Sequence, residues 1–108
     1  MRTLKFIVNG QIIERDPTCD FSGLIPGTSG YLQAEFSFSS EWNGTARVAG
    51  FASVFKEFPA TILEDGKTCM IPAEALVGKR FKVYVVGKKD NLKLTTNKVE
   101  VIQNGGKG

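Results

Sequence analysis

Short runs of alternating apolar and polar residues, separated by turn-forming pairs, extend along most of the chain. The clearest alternation lies in Tyr31–Ser39, where Leu32, Ala34, Phe36 and Phe38 take the apolar positions. A period of two residues places such side chains on one face of an extended strand. The pattern therefore predicts a half-buried strand at the centre of the core.

An Asn9-Gly10 pair separates the first two apolar runs. Because a type I′ turn needs positive φ at both central residues, and Asn-Gly tolerates it, this pair predicts a two-residue hairpin. Such a hairpin places Phe6 opposite Ile13 on one face and Ile7 opposite Ile12 on the other. Both faces are then partly apolar, and we expect Ile7 and Ile12 to contact another chain.

Residues 16–30 contain Asp-Pro, Ser-Gly and Pro-Gly pairs, which favour turns through fixed or positive φ. They predict a long irregular loop, and a loop of this length in a small domain is often functional. Leu24 and Ile25 either pin this loop to the core or, if exposed, form an interaction patch. Both residues are candidates for an interface.

Further extended segments follow along the rest of the chain. We expect strands within residues 45–55, 58–63, 68–71, 81–87, 92–96 and 98–102. Pro72–Leu76 alone favours a helical turn. About eight short strands with almost no helix predict an all-β fold, either an antiparallel, immunoglobulin-like β-sandwich, which we favour, or a small barrel. We expect one sandwich domain over residues 1–102 and a flexible C-terminal tail over residues 103–108.

The composition is sufficient for a core without covalent or metal support. Of the 108 residues, 42% are apolar, so folding needs no disulfide, metal or cofactor. Cys19 and Cys69 lie far apart and form no metal-binding spacing, and we expect two small thiols that fill the core. The N-terminal segment lacks a secretory signal, and no apolar run is long enough for a membrane helix, so we expect no membrane partner.

Charge is distributed unevenly along the chain. Residues 1–78 hold nine acidic and six basic side chains, whereas residues 79–108 hold two acidic and eight basic ones. Such asymmetry can mark a nucleic-acid partner. No row of aromatic residues is interleaved with the lysines, so nucleic acid is not the expected partner. The pattern favours a solvated face or a lysine-guarded edge, and Lys79, Arg80 and Lys82 are candidates for contact with another protein.

The sequence offers few groups for catalysis. It contains no histidine, which is the commonest base beside a serine or cysteine nucleophile, and no Ser-x-x-Lys motif. It also lacks a phosphate-binding loop and an EF-hand. Glu64 and Asp65 are adjacent carboxylates, but the following Gly66 favours a hairpin turn over a glycosidase pair. We expect no enzymatic activity and no cofactor.

Three aromatic residues, Tyr31, Trp42 and Tyr84, form a candidate platform for a glycan, since aromatic faces suit the apolar faces of sugar rings. Trp42 has a second interpretation, which we favour. It follows the Tyr31–Ser39 strand and precedes a turn, a position suited to a side chain that closes one end of a sandwich.

Three sequence blocks resemble a module of structural proteins from tailed bacteriophages and prophages. The blocks read Y-L-x-A-E-F-x-F-S-x-E-W-N-G at Tyr31–Gly44, D-G-K-T-C-M-I-P-A-E-A-L at Asp65–Leu76 and T-T-N-K-V at Thr95–Val99. The resemblance spans nearly all of residues 4–102. It implies a non-enzymatic virion structural protein in which Cys69 is a core thiol.

In longer members of that family the module stands at the N-terminus of tail-fibre or baseplate chains. This chain stops after the module, so the resemblance implies a capsid decoration or head-fibre-anchoring protein, made in the bacterial host cytoplasm and located in the virion. The expected partners are other virion proteins and further copies of the chain. The alternatives are a tail baseplate or tail-fibre module and a carbohydrate-binding module that attaches the particle to a host glycan.

Overall fold

Alternating residues bury their apolar sides between two β-sheets. The computed structural model describes residues 1–105. Its strands are β1 Arg2–Asn9, β2 Ile12–Arg15, β3 Leu32–Phe38, β4 Ala46–Ala52, β5 Thr61–Ile62, β6 Thr68–Met70, β7 Arg80–Lys89, β8 Leu92–Thr95 and β9 Val99–Ile102. Short 3-10 helices occupy Ser40–Trp42 and Ala73–Leu76. The predicted all-β sandwich is confirmed.

The two sheets have different orders. The first sheet runs β2-β1-β3-β6, and the second runs β5-β4-β7-β8, with β9 also paired to β7. Most neighbours are antiparallel, but β1 and β3 are parallel, with Arg2 opposite Leu32 and Val8 opposite Phe38. β2 already runs back toward the end at which β1 begins, and the loop after it carries the chain to the other side of β1, so β3 starts beside Arg2 and runs parallel to β1.

The Tyr31–Ser39 strand is confirmed as β3, which lies between β1 and β6. Leu32, Ala34 and Phe36 are buried and Phe38 is half-buried. The ring of Phe36 stacks on Phe6 of β1, with centroids 5.4 Å apart. The alternation therefore identified both the strand and its buried face.

The predicted register of the first hairpin is wrong. Asn9 pairs with Ile12 and Val8 with Ile13, so the turn residues are Gly10 and Gln11. Only Gly10 has positive φ there (60°), which suits a turn with glycine at the first central position. Ile13 shares the buried face with Phe6 and Val8 in both registers, and the observed turn is held by Gly10, whose N–H donates to Ser39 Oγ and whose carbonyl accepts Trp42 Nε1.

The predicted flexible tail begins too early. Gln103 is fully buried, and its Nε2 donates hydrogen bonds to the carbonyls of Leu76 (3.1 Å) and Gly78 (2.9 Å). The Gly105 N–H donates to the carbonyl of Leu24 at 3.0 Å. These bonds hold the chain beyond Ile102 against the Ala73–Leu76 turn. The prediction for residues 106–108 lies outside the described residues.

Candidate interaction surface

Trp42 does not belong to a glycan platform. Its side chain is fully buried, its Nε1 donates to the carbonyl of Gly10 at 2.8 Å, and its ring lies 5.1 Å from that of Phe38. A Cβ at Gly87 would lie 2.7 Å from Trp42 Cζ3, so the indole packs directly on the backbone of β7. The interpretation of Trp42 as a plug at one end of the sandwich is confirmed, and we call that end the Trp42 end.

Tyr31 and Tyr84 lie on different sheets. Tyr31 is 50% exposed beside the first residue of β3. Tyr84 lies on the outer face of the second sheet, packs over Gly50, and donates its hydroxyl to Glu57 Oε1 at 2.7 Å. This hydrogen bond raises the pKa of Tyr84. The structure therefore brings none of the three predicted platform residues together.

Arg47 links the Trp42 end to the turn before β6, a role that the sequence did not suggest. Its guanidinium donates to the carbonyls of Trp42 (2.7 Å) and Gly66 (2.9 Å) and to Thr45 Oγ1 (3.0 Å). It also lies over the Phe38 ring, 4.2 Å from the centroid. Partial burial lowers the pKa of Arg47. The Arg47 guanidinium thus holds together the turn at Trp42 and the turn at Gly66.

The Glu64-Asp65 pair lies in a turn, as predicted, but the turn is not a hairpin, because it joins β5 of the second sheet to β6 of the first. The Asp65 carboxylate accepts hydrogen bonds from the N–H groups of Lys67 (2.9 Å) and Thr68 (2.7 Å) and from Thr68 Oγ1 (2.5 Å). The Thr68 side chain contributes most to lowering the pKa of Asp65 from 3.8 to about 2. An ionised carboxylate with three donors is unsuited to act as a general acid at neutral pH.

Unfolding at low pH should test the role of Asp65 in this turn. Because the pKa of Asp65 is lower in the folded chain, its ionised form stabilises the fold at neutral pH, and this contribution is lost as the pH falls from 3.8 through about 2. We expect the urea midpoint of Asp65→Asn to fall less steeply than that of the wild type across this range. The control Glu64→Gln, which leaves the bonds to Asp65 in place, should keep the wild-type slope; equal slopes for all three would contradict the assignment.

The two cysteines are free thiols in different surroundings. Cys69 belongs to the core, as predicted, and burial raises its pKa to about 12. Cys19 is half-buried on the loop, where its Sγ accepts the Lys5 N–H at 3.4 Å, so it does not fill the core as expected.

Alkylation should distinguish these thiols. Because Cys69 is buried and its pKa is raised, whereas Cys19 is half-buried on the loop, we expect iodoacetamide at pH 8 to modify Cys19 and to leave Cys69 unmodified until urea unfolds the chain. Mass spectrometry of Cys19→Ser, which retains Cys69 alone, supplies the control. Rapid modification of that variant without urea would contradict the burial of Cys69.

The predicted interface residues do not form one continuous surface. Ile12 is 58% exposed and Ile7 half-buried on the outer face of the first sheet. Leu24 is buried in the core, so it pins the loop and is unavailable as a contact, whereas Ile25 is 58% exposed. The basic candidates lie at the start of β7; Lys79 and Arg80 are exposed, and Lys82 is half-buried.

An exposed apolar turn, which the alternation of residues did not predict, follows β4. Phe55 is 97% exposed and Val54 65% exposed. We read residues 45–55 as one strand, but β4 ends at Ala52 and the next four residues turn back. The signal available in the sequence was Val54-Phe55 itself, because adjacent residues of a strand cannot share one buried face.

This turn lies at the end of the sandwich opposite Trp42, and we call it the Phe55 end. Ala52 pairs with Lys82, and Arg80 pairs with Ile102, so β4 and β9 end where β7 begins. Most other side chains at this end are apolar or basic, and two carboxylates, Glu57 and Glu100, lie among them and pair with Lys98 and Arg80. The exposed apolar ones are Ile25, Val54, Phe55, Val77 and Ile102, and the basic ones are Lys56, Lys79, Arg80 and Lys82.

A groove of about 630 Å³ lies on the outer face of the second sheet. Val48 pairs with Ile62 on one side and Val86 on the other, and these three form an apolar floor. Glu64 and Asp65 line the β5 side, while Lys88 lines the β7 side. In the described part of the chain no aromatic side chain lines this groove, so it lacks a surface for stacking a sugar.

Residues 1–105 contain no cluster of three or more histidine, cysteine, aspartate or glutamate side chains placed to hold a metal ion. The helices within that range are too short and too polar to cross a membrane.

Comparisons with protein-family models, with curated proteins and with solved structures find no match to this chain.

Each of the three sequence blocks supplies a residue that fixes the fold. The first block supplies Trp42 and the second supplies Asp65. The third supplies Asn97, whose Oδ1 accepts the Ile13 N–H (2.7 Å) and whose Nδ2 donates to the Ile13 carbonyl (3.2 Å). Because Ile13 belongs to the first sheet and Asn97 lies between β8 and β9, this side-chain amide joins the two sheets.

Proposed function

We propose that this chain is a non-enzymatic structural component of a bacteriophage particle, a capsid decoration or head-fibre-anchoring module that binds other virion subunits. The observation that carries the proposal is the Phe55 end, where a nearly fully exposed phenylalanine stands among other exposed apolar and basic side chains. Exposed apolar surface bordered by charged residues is typical of association sites.

The hydrogen bonds made by several polar side chains support the same proposal. Trp42, Arg47, Asp65 and Asn97, which carry much of the chain's hydrogen-bonding chemistry, bond to backbone groups within the fold. Such residues position loops and join sheets. The resemblance to phage structural modules supports the particle as the setting, and its three blocks describe this scaffold.

The alternative of a glycan-binding module is less well supported. Its central residue, Trp42, is buried, and Tyr31 and Tyr84 occupy separate sheets. The tail baseplate alternative differs from our proposal only in location, because the same association surface would serve either position.

The proposal is tested on particles produced from the genome that encodes the chain. Heads and tails are purified separately, and the chain is counted in each fraction by quantitative mass spectrometry. We expect a fixed number of copies per particle in the head fraction. Recovery in the tail fraction alone would favour the baseplate alternative, and absence from both fractions would overturn the proposal.

A further inference from the structure

The Val54-Phe55 tip is held firmly by the sheet beneath it. The Ser53 N–H donates to the carbonyl of Lys56 at 2.7 Å, and Ala52 bridges to Glu57. One step further from the tip, the Phe58 N–H donates to the carbonyl of Phe51 at 2.9 Å, and Phe51 is buried in the core. The backbone of the turn is therefore held in place, which reduces the backbone ordering required when Phe55 is buried by a partner.

The tip carries a lysine beside Phe55, and the carboxylate that follows it, Glu57, is paired with Lys98. Lys56 directly follows Phe55, and Lys82 lies opposite Ala52, from which the turn begins. Among residues 1–105, ion pairs join Arg80 to Glu100 and Lys98 to Glu57, and neither uses Lys56 or Lys82. A surface that receives the tip should therefore combine an apolar floor with carboxylates at its edge.

The groove on the second sheet has this combination. Its floor is Val48, Ile62 and Val86, and Ile62 is 67% exposed. Its β5 side carries Glu64 and Asp65. Its volume of about 630 Å³ lies within the roughly 300–1,000 Å³ of pockets that enclose small ligands, so it has room for a phenylalanine and a valine side chain.

Two cations also line the groove. Arg47 is engaged by Trp42, Gly66 and Thr45. Lys88 pairs with Ala46 on the side away from β5. Both carboxylates therefore lie on the β5 side, together with Arg47, whose guanidinium bonds to the Gly66 carbonyl there, and Lys88 lies on the other side.

One copy of the chain cannot place its own tip in its own groove. The groove lies beside Ala46, at the start of β4, whereas the tip follows Ala52 at the end of the same strand. Six residues of strand separate them by about 20 Å. Different surfaces on one molecule that complement each other produce head-to-tail association, which continues from copy to copy until a ring closes or a filament forms.

We propose that the Val54-Phe55 tip of one copy inserts into the Val48/Ile62/Val86 groove of a second copy, with Lys56 beside Glu64 and Asp65. The inference rests on the proposed function in using the Phe55 end as the association surface. The contact is small, so the association is weak in free solution, and copies arrayed on a particle are held together by effective concentration.

The test is sedimentation velocity of the purified full chain up to about 1 mM, the scale of effective concentration in a tethered array, at low and high salt. We expect head-to-tail oligomers that dissociate as salt rises. Phe55→Asp and Ile62→Asp should each raise the apparent dissociation constant at least tenfold. The control Ile12→Asp alters an equally apolar exposed residue on the other sheet and should assemble like the wild type. Circular dichroism verifies that each variant is folded.

Mixing variants tests the head-to-tail geometry itself. Phe55→Asp retains an intact groove and Ile62→Asp retains an intact tip, so their equimolar mixture should form dimers and nothing larger. If either variant fails to fold, Lys56→Glu and Glu64→Lys replace them, and their mixture should associate more strongly than either alone. A wild type that stays monomeric at 1 mM, or a Phe55→Asp variant that assembles normally, would overturn the inference.

Failure of this inference is distinguishable from failure of the proposed function. Monomeric protein that is nevertheless counted in particles would overturn tip-in-groove association alone. Oligomers in solution from a chain that is absent from particles would overturn the virion role alone. Binding of the wild type, but not of Phe55→Asp, to phosphatidylserine vesicles with no self-association would assign the tip to a membrane and overturn the inference.

Discussion

Trp42→Ala is expected to lower the free energy of unfolding by about 3–5 kcal/mol, the range measured when a large aromatic side chain is removed from a core. Trp42 is fully buried against Phe38 and Gly87, and its Nε1 bonds to Gly10, which fixes the first hairpin turn. A domain of this size is stable by roughly 5–15 kcal/mol, so the loss is a large share of the total.

Urea unfolding measures this loss. Circular dichroism is the probe, and not tryptophan fluorescence, because Trp42 is the only tryptophan in the sequence and is the residue being replaced. Trp42→Phe keeps part of the packing but removes the hydrogen bond to Gly10, and it should fall between the wild type and Trp42→Ala. Tyr31→Ala, at an aromatic residue that is 50% exposed, should change the free energy of unfolding by no more than about 0.5 kcal/mol. Wild-type stability in Trp42→Ala would contradict the role of Trp42 as a plug.

The second large effect is expected at Asn97. Its side-chain amide bonds to both the N–H and the carbonyl of Ile13, and its own N–H donates to the carbonyl of Gln11 at 3.2 Å. Asn97→Ala leaves the Ile13 groups without these partners at the edge of the first sheet. We expect a loss of about 1–3 kcal/mol, the range for polar groups deprived of hydrogen bonds.

Hydrogen exchange locates this effect as well as measuring it. In Asn97→Ala the amide of Ile13 should exchange faster, while the amide of Phe36, in the interior of the same sheet, should change only with global stability. The control Asn91→Ala replaces an asparagine in the exposed turn between β7 and β8 and should leave the Ile13 amide unchanged. Unaltered protection of Ile13 in Asn97→Ala would show that the amide does not join the sheets.

Local sequence patterns were sufficient for the strands and insufficient for their register. The alternation in Tyr31–Ser39 depends on neighbouring residues only, and it identified β3 and its buried face. The Asn9-Gly10 rule is equally local, but the observed turn also satisfies Trp42 and Ser39, which bond to Gly10 from another part of the chain. A contact between distant residues decided between two turns that the local sequence permits.

The interaction surface was harder to predict for the same reason. The groove is assembled from Val48, Ile62 and Val86, which belong to three strands and become neighbours only through sheet register. Alternation indicates which residues share a face, but it does not indicate where β4 ends, so Phe55 was assigned to a strand. The tail composition suggested disorder after Ile102, yet Gln103 finds two carbonyls that only the folded Ala73–Leu76 turn presents.

The basic residues could be predicted in part from the sequence. The excess of lysine and arginine after residue 78 was evident from the sequence, as was the absence of an interleaved aromatic row. Their location was not, because Lys79 and Arg80 join Lys56 at the Phe55 end only through the pairing of β4, β7 and β9. The charge pattern therefore indicated a basic surface, but only the strand pairing showed that exposed Phe55 lies beside it.

Photo-crosslinking in purified particles identifies what the Phe55 end contacts. The chain is expressed during particle assembly with p-benzoylphenylalanine in place of Phe55, and in a matched control in place of Ile12; cross-linked peptides are then identified by mass spectrometry. We expect both forms to be incorporated, and we expect position 55, but not position 12, to become joined to residues 61–66 of another copy. Particles that lack the chain altogether would contradict the account.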